Sequence, residues 1–257
     1  MAEFTPQILR FDSLPSTNLE ATKRAVEGEP EGLCIVASEQ TAGRGRLQRH
    51  WASPKDAGLY FSVILRPRFD QSGWPVITLM AAVAVHDALL DACALQTDIK
   101  WPNDILFSEK KLCGILAETV ETSLGRAVVV GIGINLTVKA FPAELKNTAT
   151  SVQVATGETV NPESVLRALV RALQRCYEML KSPNGAENIG QEWSLRSSYA
   201  SGKRVRVSNA DEEVEGMTNG LESDGALRVK TDNGEIRTIR AGDVTTVRPA
   251  EHDVIIH

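Results

Sequence analysis

The spacing of apolar positions predicts helices in the first 200 residues. They are expected over residues 17–28, 76–93, 161–182 and 192–199. The second segment is apolar on all sides, as a buried central helix is. In the third segment apolar side chains recur with a 3.6-residue period after Asn161 and Pro162, which favour a helix start. Thr17 and Glu20 have the spacing of a capping box, which predicts the start of the first helix.

Strands are predicted between these helices and again at the end of the chain. In the first part they are expected over residues 32–39, 58–65, 98–101, 104–107, 111–120 and 127–136. After Lys203 the pattern changes to short alternating runs at 203–207, 213–217, 226–230, 235–239 and 243–247. Such evenly spaced runs are typical of a small β-barrel or sandwich of roughly 45–50 residues. We therefore predict an α+β layout with a larger domain, 1–200, and a small domain, 201–257.

Composition and charge narrow the class of protein. The 257-residue chain is 42% hydrophobic and 24% charged, with a net charge of −5, which disfavours a protein that mainly binds polyanions. His86, Asp87 and Asp91 interrupt the apolar stretch 74–93, and no signal peptide is visible, so a cytoplasmic protein without a membrane span is expected. The four cysteines have neither disulfide nor zinc spacing, so we expect reduced thiols and no metal-ligand set.

Residues 41–51, the glycine-arginine loop, carry the strongest chemical signal. Arg44 and Arg46 alternate with Gly43 and Gly45 directly after a predicted strand. Glycine allows the backbone to approach a ligand closely, and arginine presents forked donors that suit phosphate and carboxylate oxygens. On an acidic protein the loop is interpreted as a clamp for a small anion, with a solvated surface turn as the alternative.

Three further motifs lie at predicted strand ends. The KWPND run, 100–104, sets a lysine, an amide and a carboxylate in a proline turn, which could also be an ordinary hairpin turn. Lys111 begins a strand beside Gly114, and its charge suits a transferring phosphoryl or acyl group, although an edge-strand lysine also discourages aggregation. The GIGIN run, 131–135, lacks the third glycine of a dinucleotide fingerprint, and the sequence has no P-loop. Its glycines bring the strand close either to a ligand or to a neighbouring strand.

Taken in order, these motifs resemble those of the biotin protein ligases. The set runs from Ser16-Thr17-Asn18 through the glycine-arginine loop, KWPND, Lys111-Leu112-x-Gly114-Ile115-Leu116 and GIGIN. The resemblance covers essentially the whole chain. It implies a mixed, largely antiparallel sheet flanked by helices, as in class II aminoacyl-tRNA synthetases, with a C-terminal SH3-like β-barrel. It also implies that biotin and ATP, with Mg²⁺, give biotinyl-5′-AMP and pyrophosphate. The biotinyl group then passes to a lysine of a biotin carboxyl carrier protein.

The resemblance also implies roles for particular residues. Biotin contacts are implied for Ser16, Thr17, Asn18, Gln40, Gly43, Arg44, Gly45, Arg46, Lys111 and Gly114. Nucleotide contacts are implied for Lys100, Asn103, Asp104, Asn135 and Arg248. Arg44 and Lys111 are the implied catalytic residues, the first closing over carboxylate and phosphate, the second contacting the reacting junction. Trp51 is expected to pack the loop. No protein ligand is assigned to Mg²⁺, which prefers phosphate oxygens and water.

Two alternatives stay open at this point. A lipoate-protein ligase would share the fold, but the GRGR and KWPND runs together favour biotin. A non-catalytic RNA-binding protein is a more remote alternative, which the acidic composition disfavours. Only about 15 residues precede Ser16, too few for a helix-turn-helix domain, so a monofunctional ligase that does not bind DNA is expected. Oligomeric state is left open, with an edge-strand homodimer as one option.

Overall fold

The computed structural model describes residues 4–208 and 212–246, so the predicted nucleotide contact Arg248 lies outside the described residues. Its largest feature is a seven-stranded sheet with the order β1-β2-β3-β7-β6-β5-β4. The strands are Gln7–Leu14 (β1), Leu33–Gln40 (β2), Gly58–Leu65 (β3), Asp98–Lys100 (β4), Asp104–Phe107 (β5), Lys110–Val120 (β6) and Ala127–Asn135 (β7). Only the β1–β2 pair is parallel. The predicted mixed, largely antiparallel sheet is therefore confirmed.

Helices cover both faces of this sheet. They are Thr17–Val26 (α1), Val76–Cys93 (α2), Val152–Thr156 (α3), Pro162–Lys181 (α4) and Gly185–Arg196 (α5). Helix α2 lies between the sheet and α4 in the main core. It has the length and hydropathy of a membrane span, but 67% of it is buried inside the protein. As predicted from its all-round apolarity, α2 is a core helix.

The opposite face of the sheet carries a smaller core beneath α1. That core consists of Ala21, Ala25, Leu33, Ile35, Ile64, Ala127 and Val129. Because β3 and β7 are central strands with both faces covered, their sequences are nearly continuous apolar runs. Ser62 is the polar exception in β3, and it is fully buried on the α1 side of the sheet. This hydroxyl marks the place where the apolar core gives way to a polar site.

Helices α1 and α4 both start where the sequence predicted, but the predicted cap forms only at α4. Asn161 caps α4, and its side-chain oxygen accepts a hydrogen bond from the Glu163 backbone N–H at 2.9 Å. At α1 the residue before the helix is Ser16, and Thr17 already lies inside it. The capping box was wrong because tertiary partners hold the Thr17 hydroxyl and Glu20 forms an ion pair with Arg24, one turn later in the helix.

Three elements differ from the predicted ones. Strand β1 was missed because its exposed and half-buried positions give no clean apolar alternation. The short helix α3 was missed too. Helix α5 begins at Gly185, seven residues before the predicted start at 192, directly after the turn that ends α4.

The C-terminal part forms a separate antiparallel sheet with the order β11-β10-β9-β8-β12. Its strands are Ser201–Ser208 (β8), Glu213–Leu221 (β9), Leu227–Lys230 (β10), Ile236–Ile239 (β11) and Asp243–Thr246 (β12). Each corresponds to one predicted run, and the α+β fold class with a small C-terminal β-unit is confirmed. The indole N–H of Trp101 donates to the Gly225 carbonyl at 3.0 Å, which joins this sheet to the KWPND turn.

All four cysteines are free, and three of them are buried. Burial raises the pKa of Cys34 to about 12 and that of Cys176 to about 11. Such thiols stay protonated near neutral pH and are poor nucleophiles.

Candidate functional site

A cavity of about 500 Å³ opens on the side of the large sheet that carries α1. The predicted site residues that line it are Ser16, Thr17, Asn18, Gln40, Arg44, Gly45, Arg46, Lys100, Asn103, Asp104, Lys111, Gly114 and Asn135. Gly43 does not line it. This glycine is buried behind the loop, where a Cβ would overlap the Trp51 carbonyl oxygen. Gly43 therefore shapes the loop in this structure, and its contact with biotin stays a prediction.

The first turn of α1 is joined to β2 and β3 by hydrogen bonds between buried polar groups. The Thr17 backbone N–H and hydroxyl donate to Gln40 Oε1 at 2.8 and 3.1 Å, and Gln40 Nε2 donates to Ser53 Oγ at 2.8 Å. Ser62 Oγ lies 2.8 Å from Thr17 Oγ1 and 2.6 Å from Asn18 Oδ1. Because buried polar groups are stable only when paired, these amides and hydroxyls have fixed directions at the cavity wall.

Glycines in β7 and β6 make room for the side chains that form this wall. Register pairs Leu116 with Gly131 and Gly114 with Gly133, so all four positions share the α1 side of the sheet. A Cβ at Gly131 would overlap the Asn18 amide. The GIGIN run therefore permits a close approach by side chains of α1 and of the glycine-arginine loop, which neither interpretation of its glycines had named.

Trp51 closes the glycine-arginine loop onto the sheet. A Cβ at Gly133 would overlap its indole ring, and a Cβ at Gly114 would lie 3.0 Å from it. The Lys111 ammonium lies 5.4 Å from the centre of the ring, within the range of a cation–π contact. Trp51 packs the loop, as expected, and also forms part of the cavity wall.

The arginines of the loop reach across the cavity to its far side. Arg46 Nη1 donates to Asn103 Oδ1 at 3.1 Å and to the Gly242 carbonyl at 3.3 Å. Arg49 forms an ion pair with Asp243 at the start of β12. The loop is thus held between the KWPND turn and the C-terminal sheet, and it covers the cavity from one side.

The KWPND turn and the start of β6 bring two lysines to one carboxylate. Lys111 Nζ lies 2.7 Å from Asp104 Oδ1. Burial lowers the pKa of Lys100; the Asp104 carboxylate opposes this shift, and the Lys111 ammonium adds to it. An anion entering the cavity would favour the charged form of Lys100.

Sequence reasoning missed two parts of the site. The first is Glu118 of β6, whose carboxylate accepts hydrogen bonds from Asn18 Nδ2 at 2.8 Å and Arg44 Nη2 at 2.7 Å. Glu118 belongs to no motif. Only the three-dimensional fold brings it to Arg44 and Asn18, which lie 74 and 100 positions away in the sequence.

The second missed part is the segment after β7, which forms one wall of the cavity through Ala140, Phe141, Leu145, Asn147, Thr148 and Ala149. Hydrogen bonds tie it to β6: the Lys111 N–H donates to the Thr148 carbonyl at 2.8 Å, and the Thr150 N–H donates to the Lys111 carbonyl at 2.9 Å. Asn135 Nδ2 donates to the Thr150 carbonyl at 2.9 Å. Asn135 therefore both lines the cavity and anchors this segment.

The charges of the cavity suit an anionic ligand. Its lining includes the side chains of Arg44, Arg46, Arg49, Lys100 and Lys111, against three carboxylates. Asp104 and Asp243 are both committed to ion pairs. Within the described ranges no group of three or more His, Cys, Asp or Glu side chains could hold a metal ion. Fixed cations in a partly enclosed cavity are the usual means of stabilising phosphate charge.

Comparison with known proteins gives consistent matches. Residues 9–135 match the biotin/lipoate A/B protein ligase family, and residues 200–245 match the biotin protein ligase C terminal domain. The chain is 38% identical over 242 residues to the bifunctional ligase/repressor BirA of Bacillus subtilis, covering 92% of this chain and 73% of that protein. It is 36% identical over 236 residues to the biotin–[acetyl-CoA-carboxylase] ligase of Paracoccus denitrificans, covering 89% and 96%. The structure of the biotin protein ligase from Aquifex aeolicus in complex with biotin and ATP matches with a TM-score of 0.82 at 28% identity, covering 95% of this chain and 99% of that one.

Proposed function

We propose that this chain, which belongs to the biotin protein ligase family, activates biotin with ATP and transfers the biotinyl group to a lysine of a biotin carboxyl carrier protein. The observation that carries this proposal is the order of groups along β7. Asn18 packs over Gly131, Trp51 over Gly133, and Asn135 ends the strand near the lysines. One cavity therefore offers fixed neutral hydrogen-bonding groups at one end and lysines at the other, and Arg44 reaches it from the loop through its contact with Glu118.

The neutral end suits the uncharged ring of biotin. The polar atoms of Thr17, Asn18 and Gln40 are already oriented by hydrogen bonds to the protein, so little ordering is required when a ligand arrives. The N-terminus of α1 adds a partial positive charge beside them. We propose that these groups, with Ser16, hold the biotin ring. The aliphatic side chain of biotin, which ends in the carboxylate, then points past Trp51.

The cationic end suits the reacting groups. A biotin carboxylate oxygen forms a bond to the α-phosphorus of ATP, and the bond from that phosphorus to the pyrophosphate oxygen breaks. Negative charge accumulates on the phosphoryl oxygens in the transition state, so fixed cations accelerate the step more than a general base would. We propose that Lys111 and Arg44 lie against the carboxyl–phosphate junction. Arg46, through its contact with Asn103, closes the loop over the nucleotide side together with Lys100 and Asp104.

The second step forms an amide. The neutral amine of the acceptor lysine attacks the acyl carbon, the bond to the AMP oxygen breaks, and the amine proton leaves to water. Because the acyl-phosphate bond is reactive toward water, the glycine-arginine loop has to cover it until the acceptor arrives.

Magnesium fits this site as an ion that accompanies ATP. The described lining offers no set of carboxylates free to surround it, since Asp104 and Asp243 are ion-paired. When bound, Mg²⁺ would neutralise charge on phosphate oxygens, with phosphate and water as its ligands.

The proposal is tested by isotope exchange between ATP and pyrophosphate, with biotin or lipoate as the acid. We expect exchange with biotin and only background exchange with lipoate or no acid. Exchange driven by lipoate and not by biotin would replace this function with that of the lipoate ligases, and no exchange with either acid would refute acyl-adenylate formation.

Several finer predictions stay proposals. We propose that 1–200 forms the catalytic domain and 201–257 a separate small domain, a division supported by two sheets whose strands do not pair with each other in the described residues. The edges at β1 and β4 offer unpaired backbone groups for a homodimer, which light scattering across a concentration series would detect. A cytoplasmic location also stays a prediction.

A further inference from the structure

The carboxylate of Glu118 joins the glycine-arginine loop to the first turn of α1. Its Oε1 accepts from Arg44 Nη2 at 2.7 Å, and its Oε2 accepts from Asn18 Nδ2 at 2.8 Å. Glu118 itself is not part of the cavity lining, whereas both of its partners are. Because Glu118 does not line the cavity, its carboxylate can affect a ligand only through Asn18 and Arg44.

The position of Glu118 in the sheet is unusual for an acidic residue. Register pairs it with Val129, which is fully buried in the small core beneath α1. The Glu118 side chain is 29% exposed. A partly buried carboxylate is unfavourable unless hydrogen bonds and an opposite charge compensate it. Asn18 and Arg44 supply both.

The geometry at Arg44 leaves donors for a ligand. A guanidinium has five N–H donors, and in the described residues this one uses only Nη2 in a side-chain hydrogen bond. The Arg44 side chain is 42% exposed on the cavity rim. Without a partner, a long side chain at such a place would sample many rotamers. One contact to Glu118 restricts that freedom without using the donors that an anion needs.

The geometry at Asn18 is complementary. Its Oδ1 lies 2.6 Å from Ser62 Oγ, and its Nδ2 contacts both Glu118 and the Leu116 carbonyl, the latter at 3.3 Å. The amide orientation therefore depends in part on the same carboxylate that holds Arg44.

We propose that Glu118 is a positioning residue that directs the Arg44 guanidinium toward the ligand carboxylate and couples the glycine-arginine loop to Asn18. This inference rests on the proposed function. Glu118→Gln keeps the shape of the side chain but replaces one acceptor oxygen with an amide donor, which faces the donors of Arg44 or Asn18. We expect the KM for biotin in pyrophosphate exchange to rise about tenfold, the size of one charge-assisted contact, while the KM for ATP changes little.

A double-mutant cycle separates this role from a general structural one. If Glu118 acts through Arg44, its substitution should change the KM for biotin much less in an Arg44→Ala background than in the natural chain. The matched control is Glu163→Gln, which removes a similar carboxylate from a 2.9 Å pair with Arg10 outside the cavity. That variant should keep both KM values.

A second readout does not depend on activity. Trypsin cleavage between residues 44 and 50 should be faster in ligand-free Glu118→Gln than in the natural chain or in Glu163→Gln, because the loop loses one anchor. Absence of exchange in the natural chain would refute the proposed function. Normal exchange with unchanged biotin KM and unchanged cleavage in Glu118→Gln would overturn the inference alone, as would fully additive effects in the cycle.

Discussion

Replacing Lys111 with alanine should slow adenylate formation by roughly 10- to 150-fold. Lys111 Nζ lies 2.7 Å from Asp104 and 5.4 Å from the Trp51 ring centre, so its charge is held at one place on the cavity wall. A hydrogen bond to a charged group is worth about 1.5–3 kcal/mol, and 1.36 kcal/mol corresponds to one factor of ten in rate. The Lys111 side chain is 35% exposed, and solvent screening favours the lower part of this range.

The assay is the initial rate of biotin-dependent pyrophosphate exchange at saturating ATP and biotin. Lys181→Ala is a close control, since Lys181 also combines an ion pair, 2.6 Å to Glu178, with a cation–π contact, 4.9 Å to Tyr177, but lies outside the cavity. We expect the control to exchange at the natural rate. Equal rates for Lys111→Ala and Lys181→Ala would refute the reasoning, because both variants lose the same kinds of contact and only one loses charge at the proposed junction.

Three other predictions concern the loop, packing and pH. Arg44→Gly should release biotinyl-AMP and label a bystander protein such as albumin, detected by a streptavidin blot; slower activation without bystander labelling would contradict a sealing role. Gly133→Ala should lower the free energy of unfolding by about 1–3 kcal/mol, since its Cβ overlaps the Trp51 ring. Gly190→Ala, where a Cβ meets nothing within 4 Å, should not lower it in denaturant melts. Because burial lowers the pKa of His86, its imidazole binds a proton more readily in the unfolded chain than in the folded one. The free energy of unfolding should therefore fall as the pH drops below about 6.5. His86→Gln should weaken this pH dependence, and an unchanged dependence would contradict the reasoning.

The parts of the site that sequence predicted are contiguous motifs at strand ends. The glycine-arginine loop directly follows β2, and the KWPND turn connects β4 to β5. At such places local sequence decides both the backbone turn and the chemistry, so a short run of residues carries the signal. The long helices α2 and α4 were predictable for a similar reason, because their apolar patterns extend over many turns.

The parts that sequence did not predict depend on long-range pairing. Ser62 and Glu118 are single polar residues in strands, and their meaning arises from register with β7 and contact with α1. The cavity wall after β7 has no periodic pattern, and backbone hydrogen bonds to Lys111 give it its place. At Thr17 the local sequence was misleading. Its spacing to Glu20 predicted a capping box, but the hydroxyl forms a tertiary hydrogen bond with Gln40 instead.

The most direct test of the account is mass spectrometry of a biotin carboxyl carrier domain incubated with this protein, biotin, ATP and Mg²⁺. We expect one added biotinyl group on a single lysine, dependent on ATP, and sharply slower addition with Lys111→Ala but not with Lys181→Ala. An unmodified carrier in the presence of all substrates, or modification that proceeds without ATP, would contradict it.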